Sequence, residues 1–281
     1  MPALPPPLSV TNGVMRGAVY DHGAQVAAWA PVGHDEALWM SRCAVLEPGA
    51  AIRGGVPVVF PWFGSGRSGD LVPAHGFARR SDWSLVDVIH DADVVRVQHA
   101  LTSSEATSPL FPYEYRATSE ASFGRELALH LTVENTGDVA FTFEEALHTY
   151  LTVGDIARAT VTGLDGTSYL DQVAVGGPAT RMQRGAVSFT GETDRVYAST
   201  ATVVVVDPVL RRSVTITKSG SADTVVWNPW IHRARALPDL GDDEWRTMLC
   251  VEGANLRDHA VTLAPGQSHT MGYTVAVTAL Q

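Results

Sequence analysis

The feature that most constrains the fold of this chain is its rhythm. Short stretches of alternating or β-branched apolar residues are broken by Gly, Pro, Asp and Asn about every 8 to 12 residues, the spacing of an all-β protein. Candidate strands run from Ala24 to Trp29, Trp83 to Ile89, Val94 to Leu101, Tyr113 to Phe123, Glu126 to Val133, Phe141 to Leu151, Val203 to Val206, Ser213 to Thr217, Thr224 to Trp227 and Thr270 to Val277. No amphipathic helix of convincing length separates them, so βαβ units are excluded and antiparallel sheets stacked as one large sandwich are expected. Residues 17–281 are read as a single domain, and residues 1–16, with the proline-rich Pro2 to Pro7, as a tail ordered only in part.

Composition narrows the function classes. With 45% hydrophobic and 18% charged residues, the 281-residue chain has the material for a large core. Its formal charge of -10 and the lack of a basic stripe exclude a nucleic-acid partner. All but one of its 20 basic residues are arginine, Lys218 being the exception, which a G+C-rich coding genome explains as well as chemistry does. The amino terminus lacks the basic and apolar regions of a signal peptide. Apolar runs such as Thr202 to Val206 fall far short of the roughly 18 residues a membrane span needs. Cys43 and Cys250 are too few for a disulfide framework and are read as small buried hydrophobes in a reducing compartment, the cytoplasm. A monomer is expected.

Several motifs fail on context. Gly64, Gly66 and Gly69 spell G-x-G-x-x-G, but no helix follows and Pro73 arrives soon after, so the segment is a glycine-rich loop. The Gly66 to Asp70 stretch falls one glycine short of a nucleophile elbow. The 10 histidines include no pair at i, i+4, and neither cysteine lies in C-x-x-C, so no metal site is expected.

Four segments stand out: Ile52 to Pro57 running into Phe60-Pro61-Trp62-Phe63-Gly64, His75-Gly76-Phe77-Ala78-Arg79, Leu147-His148-Thr149-Tyr150-Leu151, and Val226-Trp227-Asn228-Pro229-Trp230. With Glu192-Thr193-Asp194 and Cys250-Val251-Glu252-Gly253, their order and spacing resemble the glucose-6-phosphate 1-epimerase branch of the aldose-1-epimerase group, from about Gly17 to Tyr273. The resemblance implies a galactose-mutarotase-like β-sandwich with a cleft on one sheet face. It also implies interconversion of the α and β anomers of a hexose 6-phosphate, with no metal or organic cofactor and a small sugar phosphate as the only partner. By resemblance, His148 is the histidine acting at the ring oxygen and Glu252 the carboxylate handling the anomeric proton. Arg53 and Arg79 match arginines near the sugar phosphate, and His75 and Asp194 match sugar-binding positions. Gly253-Ala254-Asn255 departs from the many relatives with a small residue or Pro before Gly, so an altered turn is expected there.

The chemistry suits these residue types. Opening a hemiacetal ring needs a base at the anomeric hydroxyl and an acid at the departing ring oxygen, with the roles reversed on closure. A histidine of reference pKa near 6.5 can serve in either form, and a carboxylate near 4.3 is ionised as a base. Strand parity sets Phe141, Phe143, Leu147 and Leu151 on one face and Glu144, His148 and Tyr150 on the other, an exposed one. Glu252 is read as ending the apolar run Met248 to Val251. Beside Arg53, Gly54 and Gly55 would let the backbone approach a ligand.

Each residue has a plainer reading. His148 would be a hydrogen-bonded histidine on a solvated sheet face, Glu252 an exposed strand-end charge, and Arg53 and Arg79 surface ion-pair partners. His75 would merely close its loop, Asp194 would make a turn and pair with Arg195, and Trp62, Trp227 and Trp230 would be core. At the level of the whole chain, the competing functions are a mutarotase of unphosphorylated aldoses and a non-catalytic sugar-binding module on the same scaffold. A glycosidase or lyase ranks last, lacking a persuasive second acid.

Overall fold

Period-two burial appears where the alternation predicted it. In the strand Leu127–Asn135, Leu127, Leu129, Leu131 and Val133 are buried while His130 and Glu134 face solvent. In a computed structural model that describes residues 3–280, such strands form two large sheets. The nine-stranded sheet runs Val187–Ser188, Thr160–Thr162, Val203–Asp207, Arg212–Ser219, Ser268–Ala279, Leu127–Asn135, Tyr115–Phe123, Val94–Thr102, Ser84–Asp91. The eight-stranded sheet runs Ala179–Met182, Ser168–Asp171, Thr193–Ala198, Asp223–Asn228, Met248–Asn255, Glu145–Leu147, Val58–Val59, with Tyr150–Thr152 also on Met248–Asn255. Leu129, Leu131, Ile216 and Val275 of the first meet Leu147, Val226, Leu249 and Val251 of the second in one core. This is the expected antiparallel sandwich.

The amino-terminal segment differs from its expected role. Leu8–Thr11 and Met15–Tyr20 pair with each other and then with Gln25–Pro31 in a three-stranded sheet. Trp29 of that sheet donates its indole N–H to the Gly124 carbonyl at 3.1 Å. Leu4 donates its N–H to the Leu46 carbonyl. Residues 8–16 therefore belong to the folded body, because Val10, Val14 and Met15 have a core to bury into. Pro2 lies outside the described residues.

Two sheet details position the site. The stretch Phe141 to Leu151 is not one strand. Phe141–Phe143 pairs with Val261–Leu263, whereas Glu145–Leu147 and Tyr150–Thr152 both pair with Met248–Asn255. Across the gap the register is preserved, with Leu147 opposite Gly253 and Tyr150 opposite Cys250, so His148 falls opposite Glu252. The His148 N–H continues the ladder to the other side, onto the Pro57 carbonyl at 3.0 Å, and the break arises because the Thr149 N–H turns back to the Leu147 carbonyl at 2.8 Å instead of crossing to Val251. Glu252, expected at a strand end, lies inside Met248–Asn255, and no altered turn follows it because Ala254 and Asn255 still pair with Ala146 and Glu145. Every residue of that strand is buried, so a central strand with both faces covered extends through the carboxylate.

Candidate active site

On Met248–Asn255, Leu249 and Val251 point into the core, which leaves Cys250 and Glu252 on the outer face of the eight-stranded sheet. Register then lays out the floor of a cleft. Asp194, Trp227, Cys250 and Tyr150 lie in one row, and Val196, Val225, Glu252 and His148 in the next. The cleft has a volume of about 580 Å³ and is walled by loops distant in sequence: the glycine-rich segment, the His75 to Arg79 segment, the short helix Trp230–Arg235 and the turn at Arg257.

His148 and Glu252 meet at the bottom, with His148 Nδ1 3.4 Å from Glu252 Oε1. Both are buried, at 5% and 1% exposure, which corrects the expectation that His148 lies on an exposed face. Parity was right about direction, but loops cover that face. The imidazole stacks on Tyr150 with ring centroids 4.8 Å apart and meets the edges of His75 and Trp227. Neither His148 Nδ1 nor Glu252 Oε2 has a hydrogen-bond partner among the described residues. Burial, then the charges of His75, Arg79 and Arg53, push His148 well below the usual histidine range. Burial and the nearby Asp194 push Glu252 well above the carboxylate range, with Arg79 opposing. The expectation of an already ionised carboxylate therefore does not carry over: at this buried floor both members of the pair resist charge.

The two arginines are placed differently from each other. Arg53 gives Nε and one terminal nitrogen to Asp239 at 3.1 Å each, and the other terminal nitrogen to the Tyr150 hydroxyl at 2.8 Å. Burial works against its charge, but Tyr150 and Asp239 outweigh it, and the Arg53 pKa is raised. Gly54 and Gly55 serve this placement rather than a ligand. Gly55 has φ 60°, and a Cβ there would overlap the Val26 carbonyl, so the chain that carries Arg53 packs directly on the Gln25–Pro31 strand. Arg79, on the turn Ala78–Arg80, donates to the Ala74 carbonyl at 2.8 Å, leaves Nε without a partner, and pairs with no carboxylate among the described residues. Burial, against the pull of the Tyr150 hydroxyl and with the push of Arg53, lowers its pKa to about 10.

His75, at φ 64°, accepts a hydrogen bond at Nδ1 from the Gly64 N–H at 3.3 Å, and burial followed by Arg79 and Arg53 holds it well below the histidine range. It thus closes its loop and also lines the cleft. Asp194 lines the cleft and accepts from Gln172 at 2.8 Å rather than pairing with Arg195, whose guanidinium lies over Tyr169. Burial raises the Asp194 pKa. Trp62 is core, Trp227 lines the cleft, and Trp230 packs on Trp245 outside the lining.

Two groups escaped the sequence reading. Asp239 holds Arg53 from a loop with no distinguishing pattern. Glu144 accepts the Phe63 N–H at 2.9 Å and the Arg257 N–H at 2.7 Å, tying together two cleft-lining segments distant in sequence, and its parity with His148 was the available signal. Cys250 is buried beside the pair as expected, whereas Cys43 is exposed.

The aldose 1-epimerase family matches residues 7–276. The chain belongs to the aldose 1-epimerase family. An Escherichia coli relative with the provisional name glucose-6-phosphate 1-epimerase is 37% identical over 233 residues, spanning 83% of this chain and 77% of the relative. A solved Salmonella typhimurium structure, provisionally named a mutarotase, superposes with a TM-score of 0.89 at 30% identity over 96% of this chain and 90% of that one. A galactose mutarotase-like protein from Lactobacillus casei shares the fold, with a TM-score of 0.76 at 16% identity over 97% and 100% of the two chains. The protein is accordingly an isomerase of the epimerase type on a galactose-mutarotase-like sandwich. No helix among the described residues is long and apolar enough to cross a membrane.

Proposed function

We propose that this epimerase interconverts the α and β anomers of a hexose 6-phosphate, glucose 6-phosphate in particular. The observation that carries the reading is the buried His148–Glu252 pair, with unpartnered lone pairs in a cleft where Arg79 lacks a carboxylate. The name of the Escherichia coli relative supports the same substrate.

The pair works as one unit holding one mobile proton. In the empty cleft, burial favours the uncharged arrangement of neutral imidazole and carboxylic acid. Passing that proton to His148 makes an imidazolium and a carboxylate with no change in net charge, the acid and base that ring opening needs. Glu252 then takes the anomeric hydroxyl proton as the C1 carbonyl forms. The C1–O5 bond breaks, and His148 protonates O5. Rotation about C1–C2 presents the other carbonyl face, and reversing the transfers closes the ring on it. A phosphate beside Arg79 would match the charge that disfavours imidazolium, so substrate binding itself prepares the acid. Arg53 donates from a fixed position, while His75 and Asp194 contact hydroxyls.

Exchange NMR on glucose 6-phosphate tests the proposal. Anomer exchange above the spontaneous rate with wild-type protein, lost in Glu252→Gln, supports it; no acceleration rejects it. The alternative of a non-catalytic sugar-binding protein would show saturable binding with no acceleration.

A further inference from the structure

We propose that His148, Cys250 and Glu252 form a binding site for a thiophilic divalent cation, zinc being the type, and that the ion blocks the cleft. The sequence has no local metal motif, yet the fold assembles a donor set. Cys250 and Glu252 share one face of a strand at i and i+2, and His148 stands opposite Glu252. One donor atom from each lies within 4.8 Å of the others, and all three residues are buried.

Geometry and chemistry agree on the class of ion. Two ligands at about 2.0 to 2.1 Å from a tetrahedral zinc lie about 3.4 Å apart, and His148 Nδ1 and Glu252 Oε1 are 3.4 Å apart. The Cys250 sulfur, within 4.8 Å of both, supplies the third donor. Nitrogen, sulfur and carboxylate donors select zinc or cadmium over magnesium or calcium. His148 Nδ1 and Glu252 Oε2 are buried without partners, so donors are available without breaking other bonds. A dication with one thiolate and one carboxylate is electroneutral, which suits a floor where burial disfavours net charge. Binding releases the thiol and carboxyl protons. The fourth position takes a water. Occupancy of the site rests on ligand geometry alone; its inhibitory effect rests on the acid/base reading of His148 and Glu252.

The test is calorimetric titration of EDTA-treated, dialysed protein with zinc chloride, paired with ultraviolet titration with cadmium chloride. The wild type is expected to bind an ion that Cys250→Ala binds at least about 100-fold more weakly, since losing a direct ligand costs more than the roughly 10- to 100-fold typical of an outer-shell partner. A thiolate-to-cadmium charge-transfer band should appear in the wild type and vanish in Cys250→Ala. Zinc should abolish wild-type anomerisation competitively with glucose 6-phosphate and reversibly with EDTA, while Cys250→Ala keeps its rate and resists zinc. Should Cys250→Ala fail to fold by circular dichroism, His148→Ala must show the same loss of zinc affinity. Binding that is absent, or that survives these substitutions unchanged, overturns the site. Zinc binding as described by a protein that does not anomerise sugar phosphates would leave the site standing and remove the mutarotase reading.

Discussion

His148 Nδ1 lies 3.4 Å from Glu252 Oε1 because the register kept across the break between Glu145–Leu147 and Tyr150–Thr152 sets His148 opposite Glu252. A cross-strand pair at the closed end of a cleft is held by the sheet itself, so it needs no loop to assemble it. Either side chain can thus be altered with the ladder left intact.

His148→Ala and Glu252→Gln should each lower the anomerisation rate by about 10²- to 10⁴-fold, the usual worth of one acid or base. Because the two pass a single proton, the double variant should lose little more than either single one. Rates by exchange NMR, with circular dichroism to check the fold, decide this.

The arginines should separate into two behaviours. Arg79→Ala removes a cation with no carboxylate partner among the described residues. It should cost about 1.5 to 3 kcal/mol of binding to the phosphate, roughly a 10- to 150-fold loss in kcat/KM for glucose 6-phosphate, with glucose unaffected. Arg53→Ala also strands Asp239 and the Tyr150 hydroxyl, so it should lower the unfolding free energy by about 1 to 3 kcal/mol as well. Urea unfolding of both variants distinguishes them.

Stability should depend on pH through the buried histidines. His148 and His75 are held well below the ordinary histidine value of about 6.5, so the unfolded chain binds protons that the folded one refuses. Unfolding free energy should fall as pH drops below about 6.5. Glu252 acts oppositely: its raised pKa keeps a proton that the unfolded chain releases, so its contribution fades as pH rises from about 4.5. In denaturant titrations across pH, His148→Gln should flatten the acid limb and Glu252→Gln the other.

Glu144 should behave as a positioning residue. It clamps Phe63 and Arg257, two lining residues distant in sequence, through their backbone N–H groups. Phe63 in turn meets His75 edge-on at 4.6 Å. Glu144→Ala should cost about 1 to 3 kcal/mol of stability and raise KM more than it lowers kcat. Glu144→Gln, with one carbonyl oxygen left to accept, should fall between. Steady-state kinetics on both variants check the order.

The sandwich was legible in the sequence because period-two burial follows from local pattern, as in Leu127–Asn135. The face shared by Glu144, His148 and Tyr150 was legible for the same reason. Burial of that face was not, since the residues covering it come from the glycine-rich loop, the Arg257 turn and the helix Trp230–Arg235, whose placement depends on long-range contacts. The Arg53–Asp239 pair, separated by 186 positions, carries no periodic signal. Strand Leu8–Thr11 was missed because four residues after a proline run are too short for alternation to register.

The most direct test compares anomer exchange of glucose 6-phosphate and glucose at matched concentration, with and without the wild-type protein. The account predicts acceleration of the phosphate by at least about tenfold over glucose, the lower bound for one charge-assisted contact. Equal acceleration of both sugars would contradict the role of Arg79, and acceleration of neither would contradict the assignment of the cleft as a sugar-phosphate mutarotase site.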